Sequence, residues 1–119
     1  MERELEVVYH TNRWYWGQSI DIIKNDATAM ICVKFDEKTA PNVGYICNLS
    51  VCNSARRKGA GYYMMLRALS ICSKQGVEFA RLHVNKKQLW LVDWYKRLGF
   101  KELSEDDDEL EMIMYLKNR

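Results

Sequence analysis

The residues with the clearest chemical potential lie between 51 and 62, where an apolar, strand-like run ending at Val51 gives way to a basic turn and then to a long apolar-periodic segment. The turn carries Arg56, Arg57 and Lys58 and is punctuated by Gly59 and Gly61. Glycines spaced by one residue let the backbone turn tightly and approach a ligand closely. The helix that follows directs its unpaired N–H groups and the positive end of its dipole at the turn. This is the pattern of a phosphate cradle, in which successive N–H groups from Arg56 through Gly59, Ala60 and Gly61 would hold a pyrophosphate, with Tyr62 opening the helix. Arg57 and Lys58 would add charge-assisted contacts to phosphate oxygens. A solvated basic turn that merely caps a helix is the plain structural alternative.

A second constellation lies downstream, where Leu82-His83-Val84 is followed four residues on by the polar Gln88 and seven residues after that by Tyr95, which opens a Y-x-x-x-G-F ending at Gly99-Phe100. Together with the R-x-x-G-x-G reading of Arg56, Gly59 and Gly61, this order and spacing resemble the GNAT N-acetyltransferase superfamily, from about Gly44 to the end of the chain.

The resemblance implies acetyl-coenzyme A as cofactor, its pyrophosphate on the glycine turn and its 3′-phosphate within reach of the basic residues. It also implies that two central strands splay apart beside residues 48–51, so that the backbone of Leu49 and Val51 bonds the pantetheine amides as an added strand would. Gln88 takes the place of the polar residue, usually Asn, that follows the family's L-x-V strand. Tyr95 occupies the position of the usual general acid, a phenol that protonates the departing thiolate; a packed aromatic with a wet hydroxyl is its bland alternative.

The base departs from the family pattern. Many members carry a Glu on the strand before the glycine loop, where this chain offers Cys47, Asn48 and Ser50. The middle residue of L-x-V is a Glu in the ribosomal-protein N-terminal acetyltransferases and is His83 here. An imidazole titrates in the useful range and could deprotonate an ammonium through a water, and strand alternation puts His83 on the face opposite Leu82 and Val84. A half-exposed strand histidine without a role weighs equally. Cys47 as an acyl-carrying nucleophile would need a thiolate-stabilising neighbour, and the sequence identifies none.

With 119 residues and 48% hydrophobic content, the chain has the size of a single domain with a real core. A net charge of +2 from nearly balanced acids and bases is not the broad positive field of a general nucleic-acid binder. Glu2, Arg3, Glu4 and Glu6 interrupt any leader-like opening, and no apolar run reaches bilayer length, so a soluble cytoplasmic protein without membrane association is expected. The four cysteines, Cys32, Cys47, Cys52 and Cys72, allow three pairings but sit in apolar segments, which reads as reduced core thiols rather than a disulfide scaffold. Their spacing, with no histidine at ligand distance, gives no structural zinc site and no metal.

The elements that must position these groups follow from periodicity. Strands are predicted at 5–10, 27–35, 43–51, 79–84 and 110–116, helices at 59–74 and 89–98, stopped by Gly76 and Gly99. Tyr62, Met65, Leu66, Leu69 and Cys72 recur at helical spacing in the first helix. Residues 19–23 fit either a strand or a helix, and the aromatic group Trp14, Tyr15 and Trp16 has no settled conformation. Residues 36–42 read as a polar loop, and the acidic run 105–109 as another, with recognition of a cationic amine as its alternative use. The crossover through the first helix implies parallel neighbours, so the fold class is α/β of the α+β type: a mixed, mostly antiparallel sheet flanked by helices.

The reading is a single acetyltransferase domain over 1–119 that acetylates a primary amine, either a polyamine-like small amine or a protein lysine or N-terminus, by direct attack. Two rivals stand beside it: a catalytically silent acyl-coenzyme A binding module, and an interaction domain using Arg56, Arg57, Lys58 and Lys74 as a basic patch. Many relatives place two helices in the N-terminal third, and this chain has little room for them. The acceptor pocket is then either open or completed by a partner subunit, as in a homodimer.

Overall fold

The computed structural model describes residues 7–56 and 59–116. Among these, β1 (Val7–Arg13), β2 (Gly17–Lys24), β3 (Ala29–Asp36), β4 (Ala40–Val51), β5 (Phe79–Asn85), β6 (Lys101–Glu105) and β7 (Glu109–Tyr115) form one sheet in the order β1-β2-β3-β4-β5-β7-β6. All neighbours pair antiparallel except β4 and β5, which are parallel and joined through helix α1 (Ala60–Gln75). Helix α2 (Leu89–Leu98) links β5 to β6. The mixed, mostly antiparallel sheet expected from the sequence is the observed architecture, and no helix among the described residues is long and apolar enough to cross a membrane.

The N-terminal third resolves into a hairpin. The Trp14 and Gly17 backbones bond each other across the two-residue turn, at 2.7 and 3.4 Å, and the Trp14 and Trp16 rings stack at 5.0 Å. Residues 19–23 are therefore strand, inside β2. Gly17 is required there by close approach, since a Cβ would lie 1.9 Å from the Phe35 carbonyl oxygen. The expected loop at 36–42 is shorter than predicted: Asp36 accepts from the Lys38 and Thr39 N–H groups, at 3.2 and 2.9 Å, and β4 begins at Ala40. Of the predicted strand 5–10, residues 5 and 6 lie outside the described residues.

Two further expectations are corrected. Residues 101–105 form β6, an edge strand exposed at every position, and the acidic run is the turn closing the β6–β7 hairpin rather than a loop leading from the second helix into the last strand. Helix α1 buries Ala60, Met64, Met65, Ala68 and Cys72, whereas Tyr62 and Leu66 of the predicted stripe point outward, 51% and 44% exposed. The small residues Ala60 and Ala68 let the helix settle close on the sheet. Its contact is tightest at Gly44, where a Cβ would stand 2.5 Å from the Cys72 sulfur.

Both helices contribute to one core with Ile22, Ile31, Val33, Ile46, Leu82 and Met112, and they meet where Trp94 of α2 approaches Gly61 of α1. They thus lie on the same face of the sheet. Strand alternation sends the intervening residues to the other face, among them Asp21, Lys34, Tyr45, Arg81, His83 and Glu111. No helix among the described residues covers that face.

Candidate active site

The sheet opens at its centre. β4 and β5 pair at Val43↔Phe79, Gly44↔Ala80 and Tyr45↔Arg81, and no further pairing follows among the described residues. Just beyond, Asn48 adopts φ 57, in the left-handed region, and the β3–β4 register slips between Cys32↔Cys47 and Met30↔Ser50. Such a bulge bends the strand and inverts its side-chain phase. Ile46 faces the helices before it, and Leu49 and Val51 pack against the same core after it. The main chain of 46–51 on the β5 side is left without a strand partner, so the backbone role expected of Leu49 and Val51 is compatible with their packed side chains.

The N-terminus of α1 stands at this opening. Gly59 caps the helix with φ 83, and the first helical N–H with a partner is that of Tyr63, donating to the Gly59 carbonyl at 3.0 Å. The N–H groups of Ala60, Gly61 and Tyr62 have no backbone acceptor among the described residues. At Gly61 a Cβ would lie 3.7 Å from Val51 and 3.9 Å from Trp94, so strand end, helix start and α2 converge there. The Arg56 Nε–H donates to the Val51 carbonyl at 3.0 Å and closes the turn on the strand end. Arg57 and Lys58, expected to contact phosphates, lie outside the described residues. Gln88 begins α2 with an exposed side chain that makes no capping hydrogen bond. Lys74 sits in the last turn of α1, about 20 Å along the axis from the helix start at Ala60, which Arg56 precedes.

Tyr95 is buried, its ring between Trp94 and Phe100 at centroid distances of 5.4 and 5.9 Å, and its hydroxyl has no hydrogen-bond partner among the described residues. Burial pushes its pKa upward, which keeps the phenol protonated and able to donate. His83 lies on the opposite face, its imidazole half exposed and its Nε2 3.8 Å from Glu111 Oε1. Glu111 also pairs with Arg81 and accepts from the Ser104 hydroxyl at 3.2 Å. Arg81 in turn lies over the Tyr45 ring at 5.6 Å. Glu111 escaped sequence reasoning because it comes from the final strand; only the β5–β7 register, His83↔Glu111, brings it beside the histidine.

At the same end of the sheet, Asn85 and the acidic turn line a groove of about 600 Å³. The Asp106 carboxylate is committed to the turn, accepting from the Asp108 and Glu109 N–H groups at 2.9 and 2.7 Å, and these bonds hold its pKa below the ordinary value. Asp107 and Asp108 remain exposed at the lip. No metal-binding group of His, Cys, Asp and Glu occurs among the described residues. The cysteines are all free, but only Cys72 is a thiol of the core packed against the helices: Cys32 is buried outside it, Cys47 is half-buried and Cys52 is exposed.

A family model described as the acetyltransferase (GNAT) family matches residues 3–100. This chain belongs to the GNAT family. A curated relative, the chloroplastic GCN5-related N-acetyltransferase 6 of Arabidopsis thaliana, is 34% identical over 77 residues, which cover 60% of this chain and 27% of the relative; the chain thus spans about a quarter of that protein. Among solved structures, nourseothricin acetyltransferase superposes on the GNAT domain with a TM-score of 0.70 at 14% identity, covering 93% of this chain and 85% of its own. The PaiA N-acetyltransferase of Thermoplasma acidophilum, solved in complex with coenzyme A, gives 0.68 at 22% identity, covering 82% and 60%. The ribosomal-protein-S18-alanine N-acetyltransferase of Escherichia coli gives 0.68 at 18%, covering 87% and 71%. At these identities the likeness of the GNAT domain to the solved structures is one of fold.

Proposed function

We propose that this GNAT domain transfers the acetyl group of acetyl-coenzyme A to a primary amine by direct attack. The observation that carries the reading is the parting of β4 and β5 beyond Tyr45 and Arg81, beside the N–H groups of Ala60, Gly61 and Tyr62, which have no backbone acceptor among the described residues. A pyrophosphate on those N–H groups leaves the pantetheine arm to run along the unpaired main chain of Leu49 and Val51, with Arg56, Gly59 and Gln88 at its margins. The solved PaiA relative holds coenzyme A, and acetyl-coenzyme A is the donor assigned here.

The opening joins two chemically different faces. Tyr95, buried and protonated, serves the departing thiolate from the helix side. The amine approaches from the uncovered face, where His83 is exposed to accept its proton through a water and Glu111 stands beside the imidazole. An acceptor on an uncovered face is not limited in length, so a protein lysine or N-terminus is admitted as readily as a polyamine-like small amine. The solved Escherichia coli relative is named for a protein alanine, and the exposed Asp107 and Asp108 favour cationic acceptors of either kind. A homodimer is the alternative means of covering that face, and sedimentation equilibrium separates it from a monomer. A cytoplasmic setting, where thiols stay reduced, fits the free cysteines.

The test is calorimetric titration with acetyl-coenzyme A, followed by thiol release across a panel of polyamines and lysine peptides. Binding with turnover of at least one amine is expected. Binding without any turnover identifies a silent acyl-coenzyme A module instead, and absence of binding removes the cradle.

A further inference from the structure

Cys32 and Cys47 stand directly opposite each other in the β3–β4 ladder, at the last regular position before the bulge at Asn48. Neither belongs to the core packed against the helices, although Ile31, Val33 and Ile46 beside them do. Both side chains therefore lie on the uncovered face, Cys47 on the strand that borders the opening and Cys32 on the strand behind it. Directly opposed residues of an antiparallel pair have Cβ atoms about 4.5–5.5 Å apart, and a disulfide needs about 3.5–4.5 Å, so a small approach closes the bond without a change of register.

The opposed thiols influence each other, and their surroundings divide the roles. The Cys32 thiol opposite, as hydrogen-bond donor, and Lys34, on the same face of β3, favour the Cys47 thiolate. Asp21, opposite Cys32 on β2, acts with that hydrogen bond and with burial to keep Cys32 protonated. The same face also carries His10 opposite Asp21 on β1, Tyr45 on β4, Arg81 and His83 on β5, and Glu109, Glu111 and Tyr115 on β7. The other two cysteines do not compete: Cys72 is packed against Gly44 on the helix side, and Cys52 lies past the end of β4.

We propose that Cys47 and Cys32 form a reversible thiol–disulfide site on the uncovered face beside the opening, with Cys47 as attacking thiol, Cys32 as resolving thiol and a small-molecule disulfide as co-reactant. The Cys47 thiolate attacks one sulfur of the disulfide, forming a mixed disulfide and expelling one small thiolate. Cys32 then loses its proton to solvent and attacks the Cys47 sulfur, forming the Cys32–Cys47 bond and expelling the second thiolate. Two protein thiols are oxidised, and the small disulfide is reduced to two thiols. No bound cofactor takes part, so the site stands or falls independently of acyl transfer.

Oxidised glutathione is the probe, applied to the folded chain in a Cys52→Ser background, with acid quenching and mass mapping. The expected product is a Cys32–Cys47 cross-linked peptide with no retained glutathione, reversed by dithiothreitol. Adding Cys32→Ala should arrest the reaction at a Cys47–glutathione mixed disulfide, and adding Cys47→Ala should leave Cys32 unmodified. Circular dichroism checks the fold of each variant, and Cys47→Ser replaces Cys47→Ala if the latter unfolds. A Cys47 that does not react in the folded chain, or a mixed disulfide on Cys47 that persists while Cys32 is present, overturns the proposal.

Discussion

At the scale of single residues, environment rather than residue type separates the candidate chemical groups. Tyr95 is enclosed by aromatic rings, and its raised pKa keeps it a proton donor across the range in which amines become nucleophilic. Tyr95→Phe retains the rings and loses only the hydroxyl. Turnover should fall more than about tenfold while calorimetric affinity for acetyl-coenzyme A stays unchanged; a smaller fall removes the general-acid role. Cys47 differs from its neighbour through one shared proton: the hydrogen bond from Cys32, with Lys34 beside it, pulls the Cys47 thiol down to about 7. A lowered pKa means that the thiolate fraction grows as pH rises through that value. Iodoacetamide labelling of Cys47 in the Cys52→Ser background should therefore climb through pH about 7 and then level off. Cys32→Ala withdraws the donor and should move the rise toward the ordinary thiol value, about 8.5.

At the scale of elements, the bulge in β4 lies beside the place where the sheet opens, and the first hairpin builds the sheet's N-terminal edge. Asn48 adopts a left-handed conformation that its short polar side chain tolerates and a β-branched residue does not. Asn48→Val should lower stability by about 1–2 kcal/mol, read as a lower urea midpoint at constant slope, and should weaken acetyl-coenzyme A binding. Asn48→Gly keeps the backbone freedom and should spare both. Gly17→Ala forces a Cβ onto the Phe35 carbonyl, where backbone rather than a flexible side chain must yield. A loss of about 2–3 kcal/mol is expected from thermal melts. The second helix was legible because its apolar positions and Gly99 stop coincide, and its bounds match the prediction. β6 was not, because an edge strand exposed on both faces leaves no alternation to read. The buried stripe of α1 was misread because alanines, which let the helix approach, do not register as strongly apolar.

At the scale of the whole molecule, one sheet separates a helix-covered side that holds Tyr95, the proposed acid, from an open side proposed to receive the acceptor. The acidic turn projects at the mouth, and its influence on a cationic substrate is long-range and screened by salt. Replacing Asp107 and Asp108 with lysine should raise KM for a cationic acceptor severalfold with kcat little changed, and added salt should shrink the difference. Asp106 is left intact in that variant because its carboxylate builds the turn.

The sequence by itself determined the family, the glycine turn that opens a helix and the order of the two motifs, because these depend on local chemistry: glycines where the backbone must turn, a helix start beside them, and a tyrosine at fixed spacing from a strand. Only the tertiary structure decided which faces those residues share. It set Glu111 beside His83 and Cys32 against Cys47. Pairing between strands distant along the chain follows from register and from the bulge, and neither is written in the spacing of any one segment.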